Sequence, residues 1–203
     1  MDFSNISNYD LGILWSIGSK ISDSCFLLRH KNKYFLDRIK RYCNNTVYSQ
    51  KRVKGKDDIQ YVLKIYDVDF DFLYKIGWTN RWSDARSLPA LTDYADFLRA
   101  FLELHSCLDY STRYSGWTGK KWKALRLRIY GNYDLISDIN KVLYQYVNTT
   151  LKKVGTLHND KSAVLTFTSL KEINMIYDYV FDSPFFKPYW DDVDFKLQYP
   201  KME

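Results

Sequence analysis

The sequence is poor in cysteine, histidine and proline, and it has no long apolar run. The three cysteines (Cys25, Cys43 and Cys107) show no C-x-x-C spacing, which indicates reduced thiols in a cytoplasmic protein. No apolar stretch reaches about 18 residues, so no membrane-spanning helix is predicted. The N-terminal MDFSNISNYD lacks the basic and apolar regions of a signal peptide. The expected location is therefore the cytoplasm.

Motifs for common catalytic chemistry are also missing. The sequence contains no P-loop, no H-E-x-x-H and no nucleophile elbow. His30, His105 and His158 have no spacing that would make them one ligand set. No catalytic residue, metal site or cofactor is therefore predicted.

What the chain does contain is a large hydrophobic fraction, many aromatic residues and an excess of basic ones. Of 203 residues 46% are hydrophobic, and there are 18 Tyr, 12 Phe and 6 Trp, so the chain can bury a substantial core and is not disordered. The net charge of +6 and the pI of about 9.0 favour an anionic partner. Nucleic acid is one such partner.

Apolar spacing and turn residues predict two similar series of elements. Asn8-Tyr9-Asp10 begins a helix that ends at Ile17, before Gly18-Ser19. The remaining elements predicted for the first half are a strand at 25–31, a helix at 33–42, strands at 46–54 and 59–66, and a helix at 69–76. Those predicted for the second half are a helix at 91–107, a hairpin at 110–119 and 121–130, a helix at 133–147, strands at 150–158 and 163–168, and a helix at 170–181. Residues 183–203 are expected to pack irregularly.

These elements form an internal repeat. Gly12 and Ala100 occupy matching points, segment 33–42 matches 133–143, and segment 70–77 matches 176–183. The period is too long for a solenoid. The predicted organisation is a first half at 1–82, a linker at 83–90 and a second half at 91–203.

The order of elements, together with the small residues in the first helix of each half, resembles the single-chain LAGLIDADG proteins. The resemblance implies an α+β fold of two tandem αββαββα-like halves, the first hairpin of the first half being shortened. It also implies antiparallel sheets that form a saddle on DNA. It implies that Gly12 and Ala100 bring the two signature helices together at a pseudo-twofold axis, in a monomer.

In that family each signature helix ends with an acidic residue, and the two carboxylates hold divalent cations over the scissile phosphates. Here the matching positions are Ile17 and His105, and Glu103 falls on an earlier acidic position. Isoleucine offers magnesium no ligand, and imidazole suits zinc, copper or nickel better. Glu103 lies about 200° around the helix from His105 and cannot replace it. The sequence therefore predicts a LAGLIDADG scaffold whose nuclease site is degenerate.

Basic and aromatic residues recur on the predicted hairpins. The segment KKWKALRLRIY (120–130) alternates apolar Leu125, Leu127 and Ile129 with basic and aromatic residues, so one face of the strand suits phosphates and bases. An ordinary half-solvated strand would show the same alternation. The predicted nucleic-acid-binding residues are Tyr48, Gln50, Arg52, Lys54, Lys64, Lys120, Trp122, Lys123, Arg126, Arg128, Tyr130, Lys152 and Lys153, with Gln60 as a further member.

The predicted function is sequence-selective binding of double-stranded DNA without cleavage, as in a transcriptional regulator or repressor. Four alternatives stay open. They are an RNA-binding intron maturase, an active homing endonuclease, a protein–protein interaction module of phage origin and, for the partner, structured RNA in place of DNA. An active enzyme would need displaced acids, and Asp23 and Asp109 are the candidates.

Overall fold

The computed structural model describes residues 5–52, 59–80, 86–157 and 162–181. Its contacts divide the chain into two compact units, Met1–Leu104 and His105–Glu203, called unit 1 and unit 2 here. Each unit contains a four-stranded antiparallel sheet with helices against one face. The α+β fold with two αββαββα halves is confirmed.

Unit 1 contains the first half and most of the helix that opens the second. Its elements are α1 (Asn8–Ile17), β1 (Gly18–Ser22), β2 (Cys25–His30), α2 (Lys33–Lys40), β3 (Thr46–Arg52), β4 (Ile59–Tyr66), α3 (Phe70–Lys75) and α4 (Ala95–His105), the last of which ends one residue inside unit 2. The strand order is β1-β2-β4-β3. Phe26, Leu28, Leu63 and Ile65 share the face that packs on the helices.

Unit 2 repeats this topology with longer hairpin strands. Its elements are β5 (Ser106–Tyr114), β6 (Lys121–Gly131), α5 (Tyr133–Val147), β7 (Gly155–Leu157), β8 (Ser162–Phe167) and α6 (Leu170–Phe181), with strand order β5-β6-β8-β7. The β1–β2 hairpin of unit 1 is the shorter of the two hairpins, as expected. The core lies between β6, β8 and α5, where Leu127, Ile129, Leu165, Ile139 and Leu143 are fully buried.

Helices α1 and α4 meet where their side chains are smallest. A Cβ placed on Gly12 would lie 2.5 Å from the Phe97 carbonyl oxygen and 2.8 Å from the Ala100 Cβ. The ring of Trp15 packs edge-on against Phe97 with centroids 5.8 Å apart. A larger residue at Gly12 would therefore push α1 away from α4.

Most elements begin or end within two residues of their predicted bounds, but α4 begins at Ala95 and not at 91. Three further differences have a structural cause. β1 was missed because Gly18 was interpreted only as a helix stop, whereas its missing side chain lets the backbone pass against the Phe26 ring as β1 begins. β5 begins at Ser106, directly after α4, and not at 110. β7 begins only at Gly155, because Thr150 and Lys152 are held by Glu172 and Asn140 of the neighbouring helices.

The segment predicted as a linker is packed where the structure describes it. Arg86 is buried, donates to the Trp15 carbonyl at 2.6 Å and lies 5.1 Å from the centre of the Trp78 ring. Trp78 is itself fully buried. Because α4 packs with unit 1, the boundary between the compact units lies between Leu104 and His105. The break between sequence repeats at 83–90 stays a prediction.

Within the described ranges, no helix has both the length and the apolar character needed to cross a bilayer. The predicted tail, 183–203, lies outside those ranges.

Candidate nucleic-acid interface

One face of the unit 2 sheet is covered by helices, and the other carries arginines. Along β6, Leu125, Leu127 and Ile129 are buried, while Arg126 and Arg128 between them are partly exposed. Strand register adds the residues paired with them on β5. The arginine face, as it is called below, consists of Arg113, Trp122, Arg126, Arg128, Tyr130 and Asp109.

Asp109 holds the two central arginines of this face. Its two carboxylate oxygens each accept a hydrogen bond at 2.9 Å from Arg126, through Nε and Nη2, and Arg128 donates to the same carboxylate through Nη2. The hydrogen bond from Arg126 lowers the pKa of the Asp109 carboxyl group from its usual value, although burial works in the opposite direction. The carboxylate is therefore charged at neutral pH, and the two guanidinium planes are oriented in advance.

These hydrogen bonds leave part of each guanidinium for another acceptor. Arg126 uses Nε and Nη2, so Nη1 and the second Nη2 proton remain as a fork. Such a fork matches the O6 and N7 acceptors of guanine or two oxygens of a phosphate. Arg128 is also steadied by the Tyr130 ring, whose centre lies 5.6 Å from the guanidinium carbon. The face can thus offer oriented donors to a base edge.

The arginine face continues outward along the β5–β6 hairpin. Arg113 on β5 pairs with Trp122 on β6, and both side chains are exposed. Arg113 and the role of Asp109 on this face were missed by the sequence reasoning. The alternation around Leu108 could have indicated both, since Asp109 and Arg113 lie on the opposite side of β5 from that residue. Lys123 is exposed but pairs with Thr112 on the other face, and Lys120 lies in the turn.

In unit 1 the structure separates residues that were expected to act together. Tyr48 pairs with the buried Leu63, so Tyr48, Gln50 and Arg52 lie on the helix-covered side of the sheet. The Lys33 ammonium lies 5.4 Å from the centre of the Tyr48 ring. Lys64 pairs with Val47 and therefore lies on the opposite face, together with Gln60. Grouping Lys64 and Gln60 with Tyr48 was wrong, and Lys54 lies outside the described residues.

The face of the unit 1 sheet opposite the helices has its own basic set. Arg29 and Ser49 both pair with Val62, and Lys51 pairs with Gln60, so these side chains share a face with Lys64. Arg29, Lys51 and Lys64 are all exposed. Sequence reasoning missed Arg29 and Lys51, because the face that each strand residue shares is set by the pairing of β2 and β3 with β4 and not by either strand alone.

Lys152 and Lys153 do not join the arginine face as strand residues. Lys152 forms an ion pair with Glu172 of α6 at 2.7 Å and lies 5.4 Å from the centre of the core Phe167 ring. This engagement on the helix side corrects the expectation that Lys152 is available to a partner. Lys153 is exposed, in an irregular segment before β7.

The helix ends carry no carboxylate. Ile17 and His105 are the last residues of α1 and α4. Asp23 lies beyond β1, fully exposed, and pairs with Lys20 at 2.7 Å, and Asp109 belongs to the arginine face. Among the described residues, no group of three or more His, Cys, Asp or Glu side chains could hold a metal ion.

Glu103 points into the contact between α1 and α4. Its side chain is 5% exposed and accepts a hydrogen bond from the Tyr9 hydroxyl, while its Oε1 has no partner. Arg38 and Arg99 each lie within about 5 Å of the Tyr9 ring centre. Burial raises the pKa of Glu103 to about 7, against the opposing effects of Tyr9 and the two arginines. Glu103 is a helix-interface residue in this structure.

Solved structures share this architecture, although neither a protein-family model nor a curated protein matches the sequence. The I-LtrWI LAGLIDADG homing endonuclease bound to target DNA superposes with a TM-score of 0.58 at 17% identity, over 94% of this chain and 88% of that one. I-SmaMI bound to uncleaved DNA target in the presence of calcium ions gives 0.59 at 10% identity, over 95% and 90%. I-GzeII in complex with DNA target gives 0.55 at 14% identity, over 95% and 88%.

The fold is that of the LAGLIDADG homing endonucleases. The expectation drawn from the order of elements is thereby confirmed. Within the LAGLIDADG fold, α1 and α4 are the signature helices, and their small contact residues are Gly12 and Ala100. Identities of 10 to 17% establish the architecture alone, so activity has to be argued from the residues of this chain.

Proposed function

We propose that this chain binds double-stranded DNA with sequence selectivity and does not cleave it. The observation that carries the proposal is the pair Arg126 and Arg128, aligned by Asp109 on the face of the sheet opposite the helices. An arginine that is fixed before binding loses less conformational freedom when it engages a base. A pair of fixed guanidiniums is therefore suited to reading base edges as well as to attracting phosphates.

The comparisons support duplex DNA as the partner. I-LtrWI, I-SmaMI and I-GzeII are LAGLIDADG proteins whose structures contain DNA. Each sheet of this chain has basic side chains on the face opposite its helices, with Arg29, Lys51 and Lys64 in unit 1 and the arginine face in unit 2. Lysines supply salt-dependent phosphate attraction, and arginines add base readout.

The absence of cleavage follows from the chemistry of the helix ends. Two-metal hydrolysis needs negatively charged oxygen ligands beside the attacked and leaving oxygens. Ile17 is a hydrocarbon, His105 is an imidazole, and the neighbouring acids Asp23 and Asp109 are ion-paired with basic residues. Binding without cutting suits a transcriptional regulator or repressor, and we propose that role for a monomeric chain.

A selection experiment tests this function directly. The purified chain is incubated with a random-sequence duplex library, once in magnesium and once in chelator, and retained DNA is sequenced and checked for breaks. We expect enrichment of one motif, with intact DNA, under both conditions. Retention of DNA without enrichment of a motif would show that binding is not sequence-selective. Strand breaks in magnesium would show that the chain cleaves DNA. No retention would show that it does not bind duplex DNA.

A further inference from the structure

The tip of the β5–β6 hairpin presents an indole ring to solvent. Trp117 is 97% exposed, whereas Trp15 and Trp78 are buried in unit 1. Within the described part of the chain, Trp117 makes no ring contact or hydrogen bond through its side chain. The core therefore gives no reason for an aromatic residue at this position.

The turn that holds Trp117 is nevertheless built by specific local bonds. Ser115 N donates to the Lys120 carbonyl at 3.0 Å, and Gly119 N donates to the Ser115 carbonyl at 2.9 Å. The Ser115 hydroxyl accepts from Thr118 N at 3.1 Å, and Gly119 has a φ of +63° that favours glycine. The bonds on both sides of Trp117 fix the turn that carries the ring.

Positive charge surrounds the ring. Segment 110–124 contains Arg113, Lys120, Lys121 and Lys123 and no acidic residue. All four side chains are exposed, as are Tyr114 and Trp122 beside them. The chemistry of this tip therefore suits a partner that is anionic and also offers a flat apolar surface. A nucleic acid provides both, since each nucleotide joins a phosphate to the π-face of a base.

We propose that the hairpin tip is a stacking site for an unpaired nucleobase next to the duplex, with Trp117 as the platform and Lys120 and Lys121 on the adjoining phosphates. Inside a duplex the faces of the bases are covered by their neighbours, so the proposed platform requires a base that is unpaired. This inference rests on the proposed DNA binding, and it adds an unpaired base to the features of the DNA that the chain recognises. The arginine face contacts the paired region, and the tip contacts the single strand that leaves it.

The experiment compares two probes that differ only in a single strand. One is a blunt random-sequence duplex, and the other is the same duplex with a short single-stranded adenine tail. The proteins are the wild type, Trp117→Ala, Trp117→Phe and the control Tyr144→Ala, which removes a half-exposed aromatic side chain from α5. Affinity is measured by fluorescence anisotropy, and stacking is measured by the quenching of tryptophan emission.

We expect the wild type to bind the tailed duplex about tenfold more tightly than the blunt one, because base–aromatic stacking has about this strength. Trp117→Ala should bind the two probes equally, with the affinity that the wild type has for the blunt duplex. Its tryptophan emission should be quenched less by the tailed duplex than that of the wild type. Trp117→Phe should keep part of the preference, and Tyr144→Ala all of it.

Equal binding of both probes by the wild type would overturn the stacking site and leave the proposed function intact. Equal weakening of both probes by Trp117→Ala would assign Trp117 to the duplex and also overturn the proposal. Trp117-dependent binding to vesicles of anionic phospholipid, without a preference for the tail, would replace it with a membrane contact. Failure of the wild type to bind the blunt duplex would contradict the proposed function instead.

Discussion

Asp109 is the residue at which affinity and selectivity should separate. It carries the one negative charge on the arginine face, and it orients Arg126 and Arg128. Asp109→Asn should strengthen binding to random duplex, because a charge that repels phosphate is lost. It should reduce discrimination in favour of the preferred sequence by about 1–3 kcal/mol, the usual worth of a well-formed bidentate contact. Competition binding with the selected and scrambled duplexes measures both effects.

Two comparison variants make the result specific. Asp138→Asn removes a carboxylate that pairs with Lys141 at 3.0 Å on α5, and it should leave discrimination unchanged. Arg126→Ala removes a guanidinium and should lose discrimination with no gain in affinity for random duplex. If Asp109→Asn weakens all sequences alike, the carboxylate has only a structural role.

Glu103 should make stability depend on pH in the direction opposite to that of a salt-bridged acid. Its pKa is about 7 in the folded chain, against an ordinary value of 4.5, so the folded state binds the proton more tightly. The free energy of unfolding should therefore fall as pH rises from about 4.5 to about 7, by at most about 3 kcal/mol at 1.4 kcal/mol per pKa unit. Glu103→Gln should remove this loss, so its stability relative to the wild type should rise between pH 5 and pH 8 in urea unfolding.

Glu172→Gln is the matched control for this pH effect. Burial would raise the pKa of Glu172, but hydrogen bonds from Lys152 and Thr150 outweigh burial and lower it. Glu172 is then ionised in both folded and unfolded chains from pH 5 to pH 8, so its loss should cost the same at both ends of that range. A Glu103→Gln profile parallel to that of the wild type would show that Glu103 is ionised in the folded state throughout.

At the scale of elements, the contact between α1 and α4 depends on the absence of a side chain at position 12. Gly12→Ala should destabilise the protein by about 1–3 kcal/mol, because its Cβ would lie 2.5 Å from a backbone oxygen that cannot move alone. Thermal unfolding should show the loss. Gly116→Ala is the control, since a Cβ there meets nothing within 4 Å.

A second change tests which atoms cause the loss at Gly12. Adding Ala100→Gly to Gly12→Ala removes the contact at 2.8 Å but leaves the one at the Phe97 carbonyl oxygen. The double variant should therefore recover little stability. Full recovery would show that the Ala100 methyl group alone sets the approach of the helices, and an unchanged melting temperature for Gly12→Ala would contradict the close contact itself.

The sequence predicted the bounds of helices and strands better than it predicted which side chains of neighbouring strands lie on the same face of a sheet. The bounds of α5 and α6 agree with the predicted ranges, because their apolar residues recur at helical spacing. The phase of β3 depends on its pairing with β4, and alternation within β3 fits either face. Lys152 looked available because its partner, Glu172, is twenty residues away along the chain. Contacts of this kind are tertiary, and no local pattern indicates them.

At the scale of the whole molecule, the duplicated topology was predictable because it depends on the order of elements. The candidate site was predictable only in part. The alternation along β6 indicated Arg126, Arg128 and Trp122, because the apolar and the basic or aromatic residues alternate within this one strand. The clamp formed by Asp109 required the register between β5 and β6. Site residues that depend on a second strand therefore needed the three-dimensional structure.

The response to magnesium tests the proposed function of the whole chain. With a net charge of +6, binding should release counterions, and log K should fall with log salt by about 0.9 for each phosphate neutralised. If no carboxylate–metal bridge forms, magnesium acts only as a competing cation and weakens binding, and chelator restores it. Arg113→Ala should make the salt slope shallower by about one unit, whereas Lys141→Ala on α5 should not change it. Affinity that rises with magnesium at constant ionic strength would instead show that a bound metal contributes to the complex, contrary to the residues at the ends of α1 and α4.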